Sequence, residues 1–252
     1  MVENERRRDV PDGSHAILDR ISRERKAQKI DALLRIHSLG RFGRVLDVGT
    51  GSGYIACCLS RMGYGQEGFY AVDVRDERQV TSGFEFKLIE GTKLPFPEGF
   101  FDLVISNHVI EHVGLKGEHV LHLQEVSRCL KPGGVLYFAV PNRWSIIEPH
   151  YKLPFVSWLP RKVASAYVRI LGRASNYDCA PLSRLAALRL LRSEGFLCKD
   201  VTLEAIRLVG QFEAGNFFLR SLTGLPKWFW RIFLFIVPTC IFICKKAKPE
   251  SL

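Results

Sequence analysis

Short runs of β-branched and aliphatic residues alternate with longer stretches of helical periodicity through the first half of the chain. Residues 44–48 form one such run, as expected of a strand covered on both faces of a parallel sheet. Residues 54–62 carry the apolar load of a helix, and Phe69-Tyr-Ala-Val-Asp73 reads as a second strand that ends on a carboxylate. Further strands are predicted from Phe101 and over residues 130–140. Ahead of them, residues 14–39 form a charged helical lead that ends at Gly40, with Ile17, Ile21, Ile30, Leu33, Leu34 and Ile36 as its apolar positions. Beyond them, the pattern predicts helices around 162–171 and 182–193 and a strand at about 197–203. Pro238 then divides a short helix, about 227–236, from a last strand, 239–244. Strands alternating with helices define an α/β class.

The turn between the first strand and its helix is Asp47-Val-Gly-Thr-Gly-Ser-Gly53. Gly49, Gly51 and Gly53 lack a Cβ, so the turn can take positive φ and a ligand can come close to the main chain. The first N–H groups of the helix point back into the same turn. Asp73, at the carboxyl end of the next strand, can accept hydrogen bonds from both hydroxyls of a ribose. This arrangement suits a nucleoside. The dinucleotide fingerprint is Gly-x-Gly-x-x-Gly, and the Gly-x-Gly-x-Gly spacing here does not match it.

The run from Asp47 to Gly53 resembles the first motif of the class I S-adenosylmethionine-dependent methyltransferases, in particular the small-molecule type 11 and type 23 enzymes. Three more motifs follow in order. Ile89-Glu-Gly-Thr-Lys-Leu-Pro-Phe96 is similar to the segment after the third strand. Phe101-Asp-Leu-Val-Ile-Ser-Asn-His-Val-Ile-Glu-His-Val113 is similar to the fourth strand and the loop lining the transfer site, and Leu130-Lys-Pro-Gly-Gly-Val-Leu-Tyr-Phe-Ala-Val140 to the turn and fifth strand. The resemblance covers roughly residues 43–140. It implies a Rossmann-like three-layer sandwich with a seven-stranded, mostly parallel sheet whose last strand is antiparallel, and S-adenosyl-L-methionine as cofactor. The positions it implies for cofactor contact are Asp47, Gly49, Thr50, Gly51, Gly53, Asp73, Val74, Glu90, Gly91, Asn107 and His108. Glu90 stands where Asp is commoner.

Composition narrows the rest. At 252 residues and 47% hydrophobic content, without repeats or a Gly/Ser linker, one domain over residues 1–252 is expected, with 1–40 as the lead and 141–180 as a substrate-loop insertion. The net charge of +10 is uneven: from Pro141 onward 17 Lys and Arg stand against 7 Asp and Glu, while 19 stand against 19 before it. A basic half attracts phosphates, anionic head groups or acidic sugars. With no basic tract interleaved with aromatics, nucleic acid is not an expected partner. The seven cysteines include no Cys-x-x-Cys pair, so neither a zinc cluster nor a disulfide framework follows, and no metal is expected. Without an apolar N-terminal segment, the cytoplasm is the expected location. Residues 228–244 are very apolar, but Arg231 and Pro238 interrupt them, so no transmembrane span is expected. The aromatic run 228–235 suits either core packing or peripheral contact with a membrane interface. The Arg23-Glu-Arg-Lys26 run reads as a solvated helix face.

The segment after the fifth strand, residues 141–160, holds four prolines among its aromatic residues and cannot be a simple helix. It leaves the carboxyl edge of the sheet, where substrate loops belong. Its Pro-Asn-Arg, Glu-Pro-His-Tyr and Leu-Pro pattern resembles a subset of these methyltransferases associated with small-molecule, lipid or saccharide acceptors. If the acceptor is a hydroxyl, a base should remove its proton, and His112, His150 and Tyr151 are the candidates. Asn142 and Arg143 could orient a polar or anionic acceptor. His119 and His122 are expected on a helix surface. O-methylation is the expected reaction, with N- or C-methylation, as in quinone biosynthesis, and a non-catalytic cofactor-binding module as alternatives.

Overall fold

The computed structural model describes residues 20–40, 42–212 and 234–247. The chain runs α1 (Arg20–Ile36), β1 (Arg44–Val48), α2 (Tyr54–Arg61), β2 (Gly68–Asp73), β3 (Glu85–Leu88), β4 (Phe101–Asn107), α3 (Lys116–Cys129) and β5 (Leu130–Pro141). It continues through α4 (Arg161–Ile170), α5 (Arg184–Ser193), β6 (Phe196–Asp200), α6 (Thr202–Phe212) and β7 (Thr239–Lys246). Seven strands form one sheet in the order β3-β2-β1-β4-β5-β7-β6, and β7 runs antiparallel to both of its neighbours.

Alternation along each strand divides the core into two layers. Val45, Leu103, Ile105 and Tyr137 face one side, where Ala27, Ile30, Leu33 and Leu34 of α1 pack with α2 and α6. Leu46, Val104, Leu136 and Phe138 face the other, against Leu123 and Val126 of α3 and Ala187 and Leu191 of α5. Two-sided burial explains why the strands read as nearly continuous apolar runs. Residues 151–179 add a third, smaller cluster around Tyr151, Leu153, Val156 and Tyr177. Sheet order reverses between β1 and β4, and in open α/β sheets the carboxyl edge at such a point is where ligands sit.

The sequence expectations differ from the structure in several places. The strand expected at 197–203 stops at Asp200, whose Oδ1 accepts the Thr202 N–H at 2.9 Å and helps start α6, a helix the pattern did not reveal. Register sets Cys198 opposite Cys244, and the two are joined as a disulfide across β6 and β7; pairing between strands 46 residues apart cannot be read from cysteine spacing. His119 and His122 are buried rather than on the surface. Most of the aromatic run 228–235 lies outside the described residues, as do residues 14–19 of the lead; Leu234 to Ile236 form a turn. Among the described residues no helix is long and apolar enough to cross a membrane.

Candidate active site

The glycine turn leaves β1 with its main chain already committed. Gly49 N–H donates to the Val72 carbonyl at 2.8 Å, and Gly51 N–H donates to Asp73 Oδ2 at 2.8 Å. Gly49 takes φ +68°, and a Cβ there would meet Val109 Cγ2 at 2.6 Å. Gly53, at φ +79°, opens α2, and a Cβ there would meet the Val80 carbonyl at 2.5 Å. Asp73 Oδ1 accepts the Val74 N–H at 2.7 Å. The Arg75 N–H also donates to Oδ1, at 3.3 Å, while Oδ2, which accepts from Gly51, has a second lone pair for a ligand.

Gly49, Gly51 and Asp73 line a cavity of about 520 Å³ at the switch point, a size that suits a small ligand, whereas Gly53 is not on its wall. Gly49, Gly51, Asp73, Val74, Gly91 and Asn107 are on its wall; so are His108, His112 and His150. Asn107 Nδ2 is a buried donor without a hydrogen-bond partner among the described residues, so a ligand acceptor would satisfy it. Other expected positions fall behind the wall. Asp47 and Thr50 are buried, and the Asp47 carboxyl is pushed up to about 7 by burial, against the pull of Thr50 and Arg23. Glu90 is exposed and not on the wall, although its neighbours Ile89, Gly91 and Thr92 are.

The insertion brings some expected residues to the cavity and keeps others away. His150 reaches it, with its Nδ1 2.8 Å from Glu148 Oε1. Tyr151 does not, because its hydroxyl donates to Asp178 Oδ1 at 2.7 Å inside the small third core. Asn142 is spent on the backbone: Nδ2 donates to the Phe235 carbonyl at 2.7 Å and Oδ1 accepts the Trp144 N–H. Arg143 is exposed, its guanidinium 5.7 Å from the centre of the Trp144 ring. Neither residue is on the wall: the Asn142 amide is held by backbone groups of its turn, and Arg143 lies exposed beside Trp144.

Several wall residues were not anticipated. Arg23 and Lys26 of α1 face the cavity instead of solvent. Burial pulls Lys26 down to about 8 and also lowers Arg23, which Asp47 and Asp73 oppose. Helical spacing held the signal, since Arg23 lies on one stripe with the buried Ala27, Ile30 and Leu34. Glu111 is fully buried, and burial pushes its carboxyl up to about 8. Burial likewise pulls His122 down to about 4, with its Nε2 3.2 Å from Ser106 Oγ. His108 sits at φ +59°, an uncommon conformation for a residue with a Cβ, and burial pulls its imidazole well below the usual value.

The family model described as "Methyltransferase domain" matches residues 46–138, the segment that builds this wall. The ribosomal RNA small subunit methyltransferase C of Alcanivorax borkumensis is 30% identical over 56% of this chain and 42% of its own length. The ubiquinone biosynthesis O-methyltransferase of Caulobacter vibrioides is 30% identical over 44% of this chain and 51% of its own length. The chain thus spans about half the length of the curated relatives it matches. In fold it is similar to an S-adenosylmethionine-dependent methyltransferase from Mesorhizobium loti, with 15% identity, a TM-score of 0.57 and 86% and 97% of the two chains covered. Sheet order, glycine turn and family match coincide on the same residues: residues 46–138 match the methyltransferase domain, on a fold similar to that of S-adenosylmethionine-dependent methyltransferases.

Proposed function

We propose that the protein transfers the methyl group of S-adenosylmethionine to an oxygen of a small-molecule, lipid-linked or saccharide acceptor. One observation carries this reading: the glycine turn and Asp73 share a single cavity with the imidazoles of His108, His112 and His150. The cofactor fits the chemistry of the wall. Asp73 would take the ribose hydroxyls, Val74 and Ile89 would flank the adenine, and Arg23 with Asn107 would receive the amino-acid carboxylate.

The cofactor supplies a methyl group on a sulfonium, a good leaving group, so the protein chiefly aligns and deprotonates the acceptor. Attack of the acceptor oxygen on the methyl carbon releases neutral sulfur and one proton. His112 is the candidate base, exposed at the cavity wall in the turn after β4. The fully buried Glu111 and the half-buried His150 stand behind it. The ubiquinone-pathway relative, an O-methyltransferase by name, supports an oxygen acceptor.

The test incubates the purified protein with methyl-labelled cofactor and either a lipid extract or a pool of soluble metabolites, then identifies the methylated atom. Label on an oxygen is expected. Label on carbon or nitrogen would replace the oxygen reading, and a calorimetric titration showing no binding of S-adenosylhomocysteine would sink the cofactor assignment itself.

A further inference from the structure

Glu111 is 0% exposed, and neither of its carboxylate oxygens has a hydrogen-bond partner among the described residues. A buried carboxylate in that state is costly, and native structures resolve it with a proton, a counter-charge or an ion. Two imidazole nitrogens face the same oxygen. His108 Nδ1 lies 3.4 Å from Glu111 Oε1, and His150 Nε2 lies 3.6 Å from it. These three ligand atoms lie within 4.8 Å of one another. Ligands held about 2.1 Å from one ion in tetrahedral array stand about 3.4 Å apart, so both spacings match a shared cation.

The nitrogens that do not face Glu111 are also engaged. His150 Nδ1 is 2.8 Å from Glu148 Oε1, and Glu148 is itself held by the N–H groups of His150 and Tyr151, both at 2.7 Å. His108 Nε2 is 3.4 Å from Thr239 Oγ1 of β7. A proton on each outer nitrogen leaves the inner lone pairs of both rings directed at Glu111, the arrangement that orients imidazole ligands in metal sites. The uncommon backbone conformation of His108 places its ring there. On the cavity wall Arg23, Lys26 and Arg75 stand against Asp73, Glu77, Glu118 and Asp178, and the buried Glu111 and Glu148 lie beside His150.

We propose that His108 Nδ1, Glu111 Oε1 and His150 Nε2 bind one divalent transition-metal ion, zinc by the chemistry of the donor set, with a coordination position open to the cavity. An acceptor hydroxyl in that position would lose its proton more readily, and His112 would receive it. That role rests on the methyl-transfer reading; the binding of the ion does not. A neighbouring group, His112, His150 and Cys179, is the weaker candidate. Its sulfur-to-nitrogen distances of 3.9 and 4.0 Å exceed the roughly 3.6 Å of a tetrahedral set, and it needs the His150 nitrogen that Glu148 already holds.

Titration of chelator-treated full-length protein with Co²⁺, followed by visible absorption and competed by Zn²⁺, tests the site directly. One ion per chain is expected, and Glu111→Gln or His150→Ala should weaken binding by at least about 100-fold. Glu148→Gln and Thr239→Val should weaken it about 10- to 100-fold, as loss of an orienting partner does. Titration of each variant with S-adenosylhomocysteine reports whether the fold and cofactor cleft are intact, so a failure of the methyl-transfer reading is distinguishable from a failure of the metal site. Absence of saturable binding in the wild type would overturn the proposal. So would binding that survives Glu111→Gln and His150→Ala, or binding abolished by Cys179→Ala instead.

Discussion

The cofactor edge of the sheet and the insertion over residues 141–180 meet at one cavity but are built by different means. At the edge, the main chain makes the key contacts: left-handed glycines, N–H groups donated to Asp73, and carbonyls fixed by strand register. In the insertion, side chains hold the fold. Tyr151 bonds to Asp178, Ser145 Oγ donates to the Ile147 carbonyl, and Trp158 Nε1 donates to the Ser145 carbonyl. A main-chain site tolerates wide variation in the side chains around it. A side-chain site changes its specificity with each substitution, which suits the acceptor-binding role proposed for the insertion.

If the two regions divide the labour in this way, variants should separate catalysis from cofactor affinity. The largest effect is expected for His112→Ala. Turnover should fall about 10²- to 10³-fold, while the affinity for S-adenosylhomocysteine measured by calorimetry stays the same. Wild-type turnover in this variant would remove His112 as the base and leave deprotonation to another wall group.

Asp73→Ala tests the other side of the comparison. It removes the acceptors for the Gly51 and Val74 N–H groups as well as those offered to a ribose. Hydrogen bonds to a charged group are worth about 1.5–3 kcal/mol each, so cofactor affinity should fall roughly 10- to 100-fold. An unchanged Kd would place the nucleoside elsewhere.

The same division explains what the chain discloses before it folds. Gly49, Gly51, Gly53 and Asp73 are legible because a local backbone requirement admits few residue types. The sheet is legible because two-sided burial leaves apolar runs. The partners of His150 are not: Glu148 is close in sequence, but Glu111 arrives from the turn after β4, and no local pattern links the two. Asn142 and Arg143 mislead for the same reason, since their motif marks a turn rather than a wall. Arg23 and Lys26 were readable, because their helical stripe is buried. The charge run, read without that spacing, resembles a solvated face.

Leu153→Ala asks whether the regions are also separate in stability. Leu153 is 5% exposed within the insertion's own core. Its truncation should cost about 2 kcal/mol, at the lower end for a buried leucine. Hydrogen exchange should rise in residues 151–179 and stay level in β1 and β4. Equal loss of protection in both would show one cooperative unit and remove the distinction drawn here.

The smallest effect belongs to Asp47, the charged group placed behind the glycine turn. Its folded-state value of about 7 stands above the usual 3.8, so the folded chain holds this proton more tightly than the unfolded chain does. The stability this contributes is complete below about pH 4 and is lost as pH rises through about 7. Asp47→Asn keeps the side chain neutral throughout. The variant should therefore match or trail the wild type at pH 4 and exceed it at pH 8 by about 1 kcal/mol, a few degrees in Tm, with the amide's unmatched N–H groups offsetting the rest of the linkage. Parallel Tm profiles across that range would mean that Asp47 is ionised at all these pH values, held by Arg23. The cationic face of α1 would then be part of the cofactor edge itself, joining a side-chain contact to the region that otherwise relies on main chain.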